Sequence, residues 1–323
     1  MAARLKDRVA IVTGSGRGIG RSIALAMARE GAKVVINDPG VNVDGTGFDQ
    51  GPADQVVEEV RALGGQAAAN YDAVGTMQAG ESLVKTALDA FGRVDILVNC
   101  AGILRDRMIF NMSEEEWDAV IQVHLKGTFA CTRAVAPVFR QQKFGRIINI
   151  TSASLLGNPG QANYGAAKGG IVGFTRVVAR DLGRYAVTCN AVGPLADTRM
   201  TATIPDVSRL ISMLSSGEVI SGMTGVAVAG RLLSDLAART PDHVAPIVAY
   251  LATDGAWNIN GQIFIVAGGG MVALSAPEAP INTISKDGLW TLEELDVLVP
   301  TALMADIPNP APPPADVEVP GRA

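Results

Sequence analysis

The sequence predicts a doubly wound α/β fold built on a seven-stranded parallel sheet. Seven short, almost continuously apolar runs alternate with longer segments of helical length and periodicity. Strands that are apolar throughout are typical of a sheet covered by helices on both faces. Apolar residues make up 48% of the chain and aromatic residues only 5%, which indicates an aliphatic core. The alternation of strand and helix implies right-handed crossovers and parallel strands.

Each predicted strand can be located in order along the chain. The strands are RVAIVT (8–13), KVVIN (33–37), QAAANY (66–71), VDILVN (94–99), RIINIT (146–151), VTCNAV (187–192) and QIFIVA (262–267). Helical patterns lie between them, and the one in SEEEWDAVIQVHLKGTF (113–129) opens with a capping box from Ser113 to Glu116.

Three segments interrupt this alternation. Residues 39–53 form a Gly/Pro/Asp-rich loop after the second strand. Residues 195–240 are long and mixed, and we expect 203–238 to form a mobile lid over the substrate. The Pro-rich tail is expected to be extended or disordered past residue 305. The sequence therefore predicts one domain at 1–274 and a C-terminal extension at 275–323.

Composition argues against several classes of function. The net charge of −5 is opposite to that of a nucleic-acid or anionic-membrane surface. No apolar run approaches the roughly 20 residues of a membrane span, and the first apolar run is too short for a signal peptide. Three scattered cysteines and two distant histidines argue against a zinc site. We expect a cytoplasmic protein without a metal.

A glycine-rich turn follows the first strand. Gly14, Gly18 and Gly20 form a GxxxGxG pattern, which lets a backbone turn and a helix N-terminus approach a pyrophosphate. A tight turn without a ligand is the alternative. Asp38 ends the second strand, where a carboxylate can bind a ribose 2′-hydroxyl and so favours NAD over NADP. Arg17 would favour NADP, and a purely capping Asp38 is the other alternative.

Tyr164 and Lys168 stand four residues apart, so they share one face of a predicted helix. A free phenol titrates near pH 10. An ammonium and a bound nicotinamide cation would favour the phenolate, and a pKa near 7 requires about 4 kcal/mol. Such a phenol could exchange a proton with an alcohol. Ser152, just past the fifth strand, could bind the substrate oxygen, and an ordinary loop or capping role of Ser152 and Ser154 is the alternative.

Together these motifs resemble the short-chain dehydrogenase/reductase family, which has a Rossmann fold. The resemblance runs from residue 5 to about 270 and is carried by TGSGRGIG (13–20), NCAG (99–102), NITS (149–152), YGAAK (164–168) and NAVGP (190–194). It implies that Ser152 orients the substrate oxygen, Tyr164 is the acid/base and Lys168 holds the nicotinamide ribose. The spacing from Ser152 to Tyr164 is one residue shorter than is usual in the family, so Ser154 is the fallback for the serine. His124 stands where many members have an active-site Asn, so it is either a member of the proton relay or a buried structural histidine.

The resemblance also implies a set of cofactor-binding residues. Asp72 and Val74 would lie near the adenine, and Pro194 and Thr198 would flank the nicotinamide. The full set is Gly14, Arg17, Gly18, Ile19, Gly20, Asp38, Asp72, Val74, Asn99, Ala101, Gly102, Tyr164, Lys168, Pro194 and Thr198.

Within the family, the chain resembles the (3R)-hydroxyacyl-CoA dehydrogenase part of peroxisomal multifunctional enzyme type 2 and its bacterial relatives. VVINDPG (34–40), KTALDAFGRVDILVNCAGILRD (85–106) and GNPGQANYGAAK (157–168) carry this similarity. It implies NAD, a 3-hydroxyacyl-CoA or steroid-like secondary alcohol, and a homodimer or homotetramer. An NADPH-dependent 3-oxoacyl-carrier-protein reductase and an inactive nucleotide-binding scaffold are the alternatives.

Overall fold

The computed structural model of the protein describes residues 3–196, 240–267, 271–274, 283–286 and 291–304. Within these residues one sheet has eight strands in the order β3-β2-β1-β4-β5-β6-β7-β8. They are β1 (Val9–Thr13), β2 (Lys33–Asn37), β3 (Ala67–Asn70), β4 (Ile96–Asn99), β5 (Gly145–Ile150), β6 (Val187–Leu195), β7 (Ile263–Ala267) and β8 (Met271–Leu274). The predicted seven-stranded parallel sheet is confirmed as β1 to β7.

The eighth strand was not among the predicted elements. β8 pairs with β7 in antiparallel fashion, with Phe264 opposite Leu274. Four residues are too few to show the hydrophobic periodicity of a strand in the sequence. The strand is recognised only by its pairing with the edge of the sheet.

Helices cover both faces of the sheet, as the doubly wound fold requires. Their ranges are α1 (Gly18–Arg29), α2 (Gly51–Ala62), α3 (Met77–Phe91), α4 (Glu114–Ile121), α5 (Gly127–Gln142), α6 (Ala162–Gly183) and α7 (Ala245–Leu251). Side chains of α1, α2 and α7 pack in one apolar cluster, and side chains of α3, α5 and α6 pack in a second one. The chain order reverses between β1 and β4, which opens a crevice at the carboxyl ends of these strands.

The predicted capping box at the start of α4 is confirmed. The Ser113 hydroxyl accepts a hydrogen bond from the Glu116 N–H, and the Glu116 carboxylate accepts one from the Ser113 N–H. Beyond α4 the helix widens into a π-helix at Gln122–Lys126 before α5 begins. A π-helix is often found at functional sites, and this one carries His124.

Polar side chains occupy one level of the sheet near its carboxyl edge. Asn37 lies opposite Asn70, and the Asn37 Nδ2 donates to the Asn70 Oδ1 at 2.9 Å. Two strands away, Asn99 lies opposite Asn149 with the same 2.9 Å amide contact. All four side chains are buried, so each amide depends on a partner inside the protein.

The chain forms two compact units, Met1–Ser275 and Ala276–Ala323. In the second, the helix α8 (Leu292–Leu298) begins with a capping box between Thr291 and Glu294 and is followed by a π-helix at Val299–Leu303. The expected lid at 203–238 and the expected disorder past 305 lie outside the described residues. Among the described helices, none has the length and apolar character needed to cross a membrane.

Candidate active site

A cavity of about 350 Å³ opens at the carboxyl ends of β1, β2, β4, β5 and β6. Of the residues expected to form the site, it is lined by Gly14, Arg17, Gly18, Ile19, Gly20, Asp38, Val74, Ala101, Gly102, His124, Ser152, Tyr164, Lys168 and Pro194, together with Ser154. Asn99 and Asp72 do not line it. Thr198 lies outside the described residues. Segments far apart in sequence therefore meet at one crevice.

The glycine turn leaves no room for side chains. Gly14 has a φ of +64°, and a Cβ there would lie 2.6 Å from the Ala101 Cα. A Cβ on Gly20 would lie 2.1 Å from the Gly14 carbonyl oxygen. The backbone is consequently bare where α1 begins, which fits a pyrophosphate that needs close approach to amide N–H groups.

Asp38 closes this turn with both oxygens of its carboxylate. Oδ2 accepts a hydrogen bond from the Gly16 N–H at 2.8 Å, and Oδ1 accepts one from the Gly40 N–H at 2.7 Å. The capping role is thus present, although the side chain also lines the cavity. The Arg17 guanidinium lies 3.9 Å from the exposed Asp49 carboxylate.

Asn99 and Asp72 are turned to other contacts. Asn99 donates to Asn149 and Thr132 beneath the cavity, so it supports the sheet. The Asp72 carboxylate is exposed and accepts hydrogen bonds from the Asn70 amide and the Ser82 hydroxyl. Of the two residues expected near the adenine, Val74 lines the cavity and Asp72 does not.

Tyr164 and Lys168 lie on the cavity-facing side of α6. The Lys168 Nζ lies 5.4 Å from the centre of the Tyr164 ring and donates to the Ile150 carbonyl at 2.7 Å. This single backbone bond leaves the other ammonium protons available to a ligand. Both side chains are positioned for contact with a molecule in the cavity.

Burial displaces the pKa values of both members of this pair. Burial raises the pKa of Tyr164 to about 12, although the Ser152 hydroxyl lowers it by hydrogen bonding to the phenol. Burial lowers the pKa of Lys168 to about 8. For Tyr164, desolvation exceeds the favourable interactions. The predicted acidic phenol depends on a bound nicotinamide cation as well as on the ammonium, and it stays a prediction.

Of the two serines, Ser152 is the one whose hydroxyl lowers the pKa of Tyr164. Its hydroxyl also accepts a hydrogen bond from the Ser154 N–H at 3.2 Å, which caps a 3₁₀-helix at Ala153–Leu156. The Ser152 hydroxyl donates a hydrogen bond to the Ser154 hydroxyl at 3.2 Å.

His124 is buried, with 1% of its surface exposed, and lines the cavity. Its Nε2 lies 2.8 Å from the Ile103 carbonyl oxygen and 3.1 Å from the Ile103 nitrogen. Its Nδ1 has no hydrogen-bond partner among the described residues. Burial, and then the charge of Lys168, hold the pKa of His124 well below 6.5. A Cβ on Gly102 would lie 2.3 Å from the His124 ring, so this glycine makes room for the imidazole.

Sequence reasoning missed two polar residues at the start of α6. Asn163 is fully buried, and its Nδ2 donates to the carbonyls of Arg105 (2.9 Å) and Glu116 (3.0 Å). Gln161 lines the cavity and donates to the Asp106 carboxylate at 2.8 Å. Polar residues just before the tyrosine at a helix start were the available signal.

Comparisons with known proteins agree with this geometry. The family model described as short chain dehydrogenase matches residues 8–208. The chain is 40% identical to a hydroxyacyl-CoA dehydrogenase of Mycobacterium tuberculosis (90% of this chain, 87% of the relative). It is 43% identical to a 3-oxoacyl-[acyl-carrier-protein] reductase of Synechocystis (82% and 97%).

Two further matches extend the picture. The chain is 43% identical to peroxisomal multifunctional enzyme type 2 of Mus musculus over 82% of its own length, but it spans only 32% of that larger protein. The crystal structure of a short chain dehydrogenase from Mycobacterium avium superimposes with a TM-score of 0.77 at 40% identity, covering 96% of this chain and 98% of the other.

Proposed function

The chain belongs to the short-chain dehydrogenase/reductase family, and we propose that it is an NAD-dependent dehydrogenase that interconverts a secondary alcohol and a ketone. Family membership makes it an oxidoreductase that uses NAD or NADP. The observation that carries the proposal is the meeting of Ser152, Tyr164 and Lys168 in one cavity beside the bare glycine turn. The resemblance to multifunctional enzyme type 2 is confirmed at the level of sequence.

Each residue of this set has a role that follows from its contacts. Bound NAD supplies the hydride acceptor and, when oxidised, a positive charge beside the phenol. The positive charge of the oxidised cofactor would favour the phenolate of Tyr164, which would then take the proton of the alcohol in oxidation and return it in reduction. Ser152, whose hydroxyl lowers the pKa of Tyr164, would orient the substrate oxygen next to the phenol. Lys168 would hold the nicotinamide ribose with its free ammonium protons.

The preference for NAD rests on Asp38. Its carboxylate lines the cavity directly after β2, where a 2′-phosphate would meet a negative charge. The two amide bonds from Gly16 and Gly40 fix its position. Arg17 favours the second candidate, an NADPH-dependent 3-oxoacyl-carrier-protein reductase, because it too lines the cavity and a relative of that name matches closely.

We propose that the substrate is a 3-hydroxyacyl-CoA, and a steroid-like secondary alcohol is the alternative substrate. The relative named hydroxyacyl-CoA dehydrogenase, which aligns with 90% of the chain, supports this class. We further propose a cytoplasmic homodimer or homotetramer, on the family likeness alone. Light scattering that gives a monomer would refute the oligomer.

A substrate screen tests the function directly. NADH absorbance should rise with a 3-hydroxyacyl-CoA and less, or not at all, with hydroxysteroids and simple alcohols. Tyr164→Phe should abolish turnover, whereas Tyr250→Phe, a change on the partly exposed helix α7, should not. Isothermal titration with NAD and NADPH separates the two cofactors. Tyr164→Phe without effect on any substrate would favour the scaffold.

A further inference from the structure

The loop that follows Asp38 is fastened to the segment after β4. We name residues 39–50 the strap. The Val43 carbonyl accepts a hydrogen bond from the Leu104 N–H at 2.9 Å, and the Asp44 carbonyl accepts one from the Arg105 Nε at 2.9 Å. Gly45 packs so closely on Ile103 that a Cβ would lie 3.0 Å from its side chain. The strap is therefore anchored at three adjacent residues.

The strap is a wall of the cavity. Five of its residues line the cavity, and so do Ile103 and Leu104 on the facing segment; the five are Pro39, Val41, Asn42, Val43 and Gly45. The strap begins one residue after Asp38, at the nucleotide side. At its base the Asp49 N–H donates to the Pro39 carbonyl at 2.9 Å, so the loop closes on itself.

Arg105 connects this wall to the catalytic helix. Its side chain is only 20% exposed and also donates to the Glu115 carboxylate at 2.9 Å. Its carbonyl accepts the bond from Asn163, the residue before Tyr164. We propose that Arg105 is a positioning residue for the cofactor, because its guanidinium holds the strap closed over the nucleotide side of the cavity. The inference rests on the proposed function in that the ligand is a dinucleotide.

The alternative is that Arg105 forms only a surface ion pair with Glu115, a contact of small energy because that carboxylate is 84% exposed. Two variants separate the readings. Arg105→Met removes the bond to the strap together with the ion pair. Glu115→Gln is the control, because it weakens the ion pair and leaves the Asp44 contact. Gly45→Ala disturbs the same anchor from the other side, since a Cβ there meets Ile103 and the φ is +88°.

Two measurements decide the outcome. In the protein alone, Arg105→Met and Gly45→Ala should speed hydrogen exchange at the strap amides of Asn42, Gly45 and Asp49, while Glu115→Gln should not. By isothermal titration the Kd for NAD should rise roughly tenfold in the first two variants, the effect of one charge-assisted hydrogen bond. The kcat at saturating NAD should stay within about twofold, since Ser152, Tyr164 and Lys168 keep their contacts.

Opposite results have distinct meanings. If the native protein binds NAD and both variants bind it with unchanged Kd, the role of Arg105 is refuted while the proposed function survives. A native protein that binds neither NAD nor NADPH refutes the proposed function, and the role of Arg105 with it. If Glu115→Gln and Arg105→Met weakened NAD binding equally, the effect would belong to the ion pair, and the proposed role of the strap contact would be refuted.

Discussion

The imidazole of His124 meets the phenol ring of Tyr164 edge-on, with ring centroids 5.1 Å apart and ring planes at 87°. His124 is held from behind by the backbone of Ile103, and Gly102 leaves space for it. The imidazole therefore forms the wall against which the phenol rests. Because burial keeps it neutral, it can position Tyr164 without competing for protons.

Substitutions of His124 should show whether the imidazole acts by packing against Tyr164 or by taking up a proton. We expect His124→Leu to cost about 1–3 kcal/mol of stability, because Ile103 loses its polar partner. The same variant should lower kcat about tenfold or more. His124→Asn, which keeps a polar group there, should retain most activity and an unchanged pH–rate profile between pH 6 and 8. If the pH–rate profile of the native protein changed slope near pH 6.5 and this change were absent in His124→Asn, the neutral histidine would be contradicted.

Ser152 and Ser154 offer a matched pair of substitutions. Ser152→Ala should lower kcat by about two orders of magnitude, because the group that hydrogen-bonds the phenol and the substrate oxygen is lost. Ser154→Ala should change kcat by less than about threefold. Steady-state kinetics with the best substrate of the screen measures both. If Ser154→Ala proved the more damaging change, the assignment of the serine would reverse.

Asp38→Asn should weaken the turn and the cofactor preference together. An amide NH₂ would face an N–H of Gly16 or Gly40, so one backbone donor loses its acceptor at a cost of about 1–3 kcal/mol. NAD should bind more weakly, and the ratio of the NADPH to the NAD Kd should fall. Urea denaturation and isothermal titration test this, with the surface change Asp89→Asn as control. An unaltered Kd ratio would leave Asp38 a capping role only.

Lys168 should give the stability a distinctive pH dependence. Its pKa is about 8 in the folded protein and 10.5 ordinarily, so between these values the unfolded chain binds more protons. The free energy of unfolding therefore gains a contribution that rises with pH, on the order of 3 kcal/mol in total. Relative to Lys168→Met, the native protein should gain stability from pH 8 to pH 10.5. A flat difference for Lys168→Met would be inconsistent with a depressed pKa of Lys168.

Features with a local cause could be predicted from the sequence. The seven parallel strands follow from short apolar runs, and the cap of α4 follows from Ser113 and Glu116. The shared helix face of Tyr164 and Lys168 follows from their spacing. These depend on a few neighbouring residues, so tertiary packing did not alter them.

Features with a non-local cause could not be predicted. β8 exists through its pairing with β7, and the strap is fixed by residues 103–105, some sixty positions away in the chain. The raised pKa of Tyr164 depends on how completely α6 and its neighbours enclose the phenol. No local pattern encodes the depth at which a side chain is buried.

The paired amides at the carboxyl edge of the sheet also constrain how the strands can align. If β5 slipped by one residue against β4, Asn149 would no longer meet Asn99, and both amides would be enclosed among aliphatic side chains. The same slip between β2 and β3 would separate Asn37 from Asn70. A sheet with the wrong register therefore loses several amide–amide hydrogen bonds at once. The paired asparagines therefore favour one register among strands whose other side chains are aliphatic and would fit several registers.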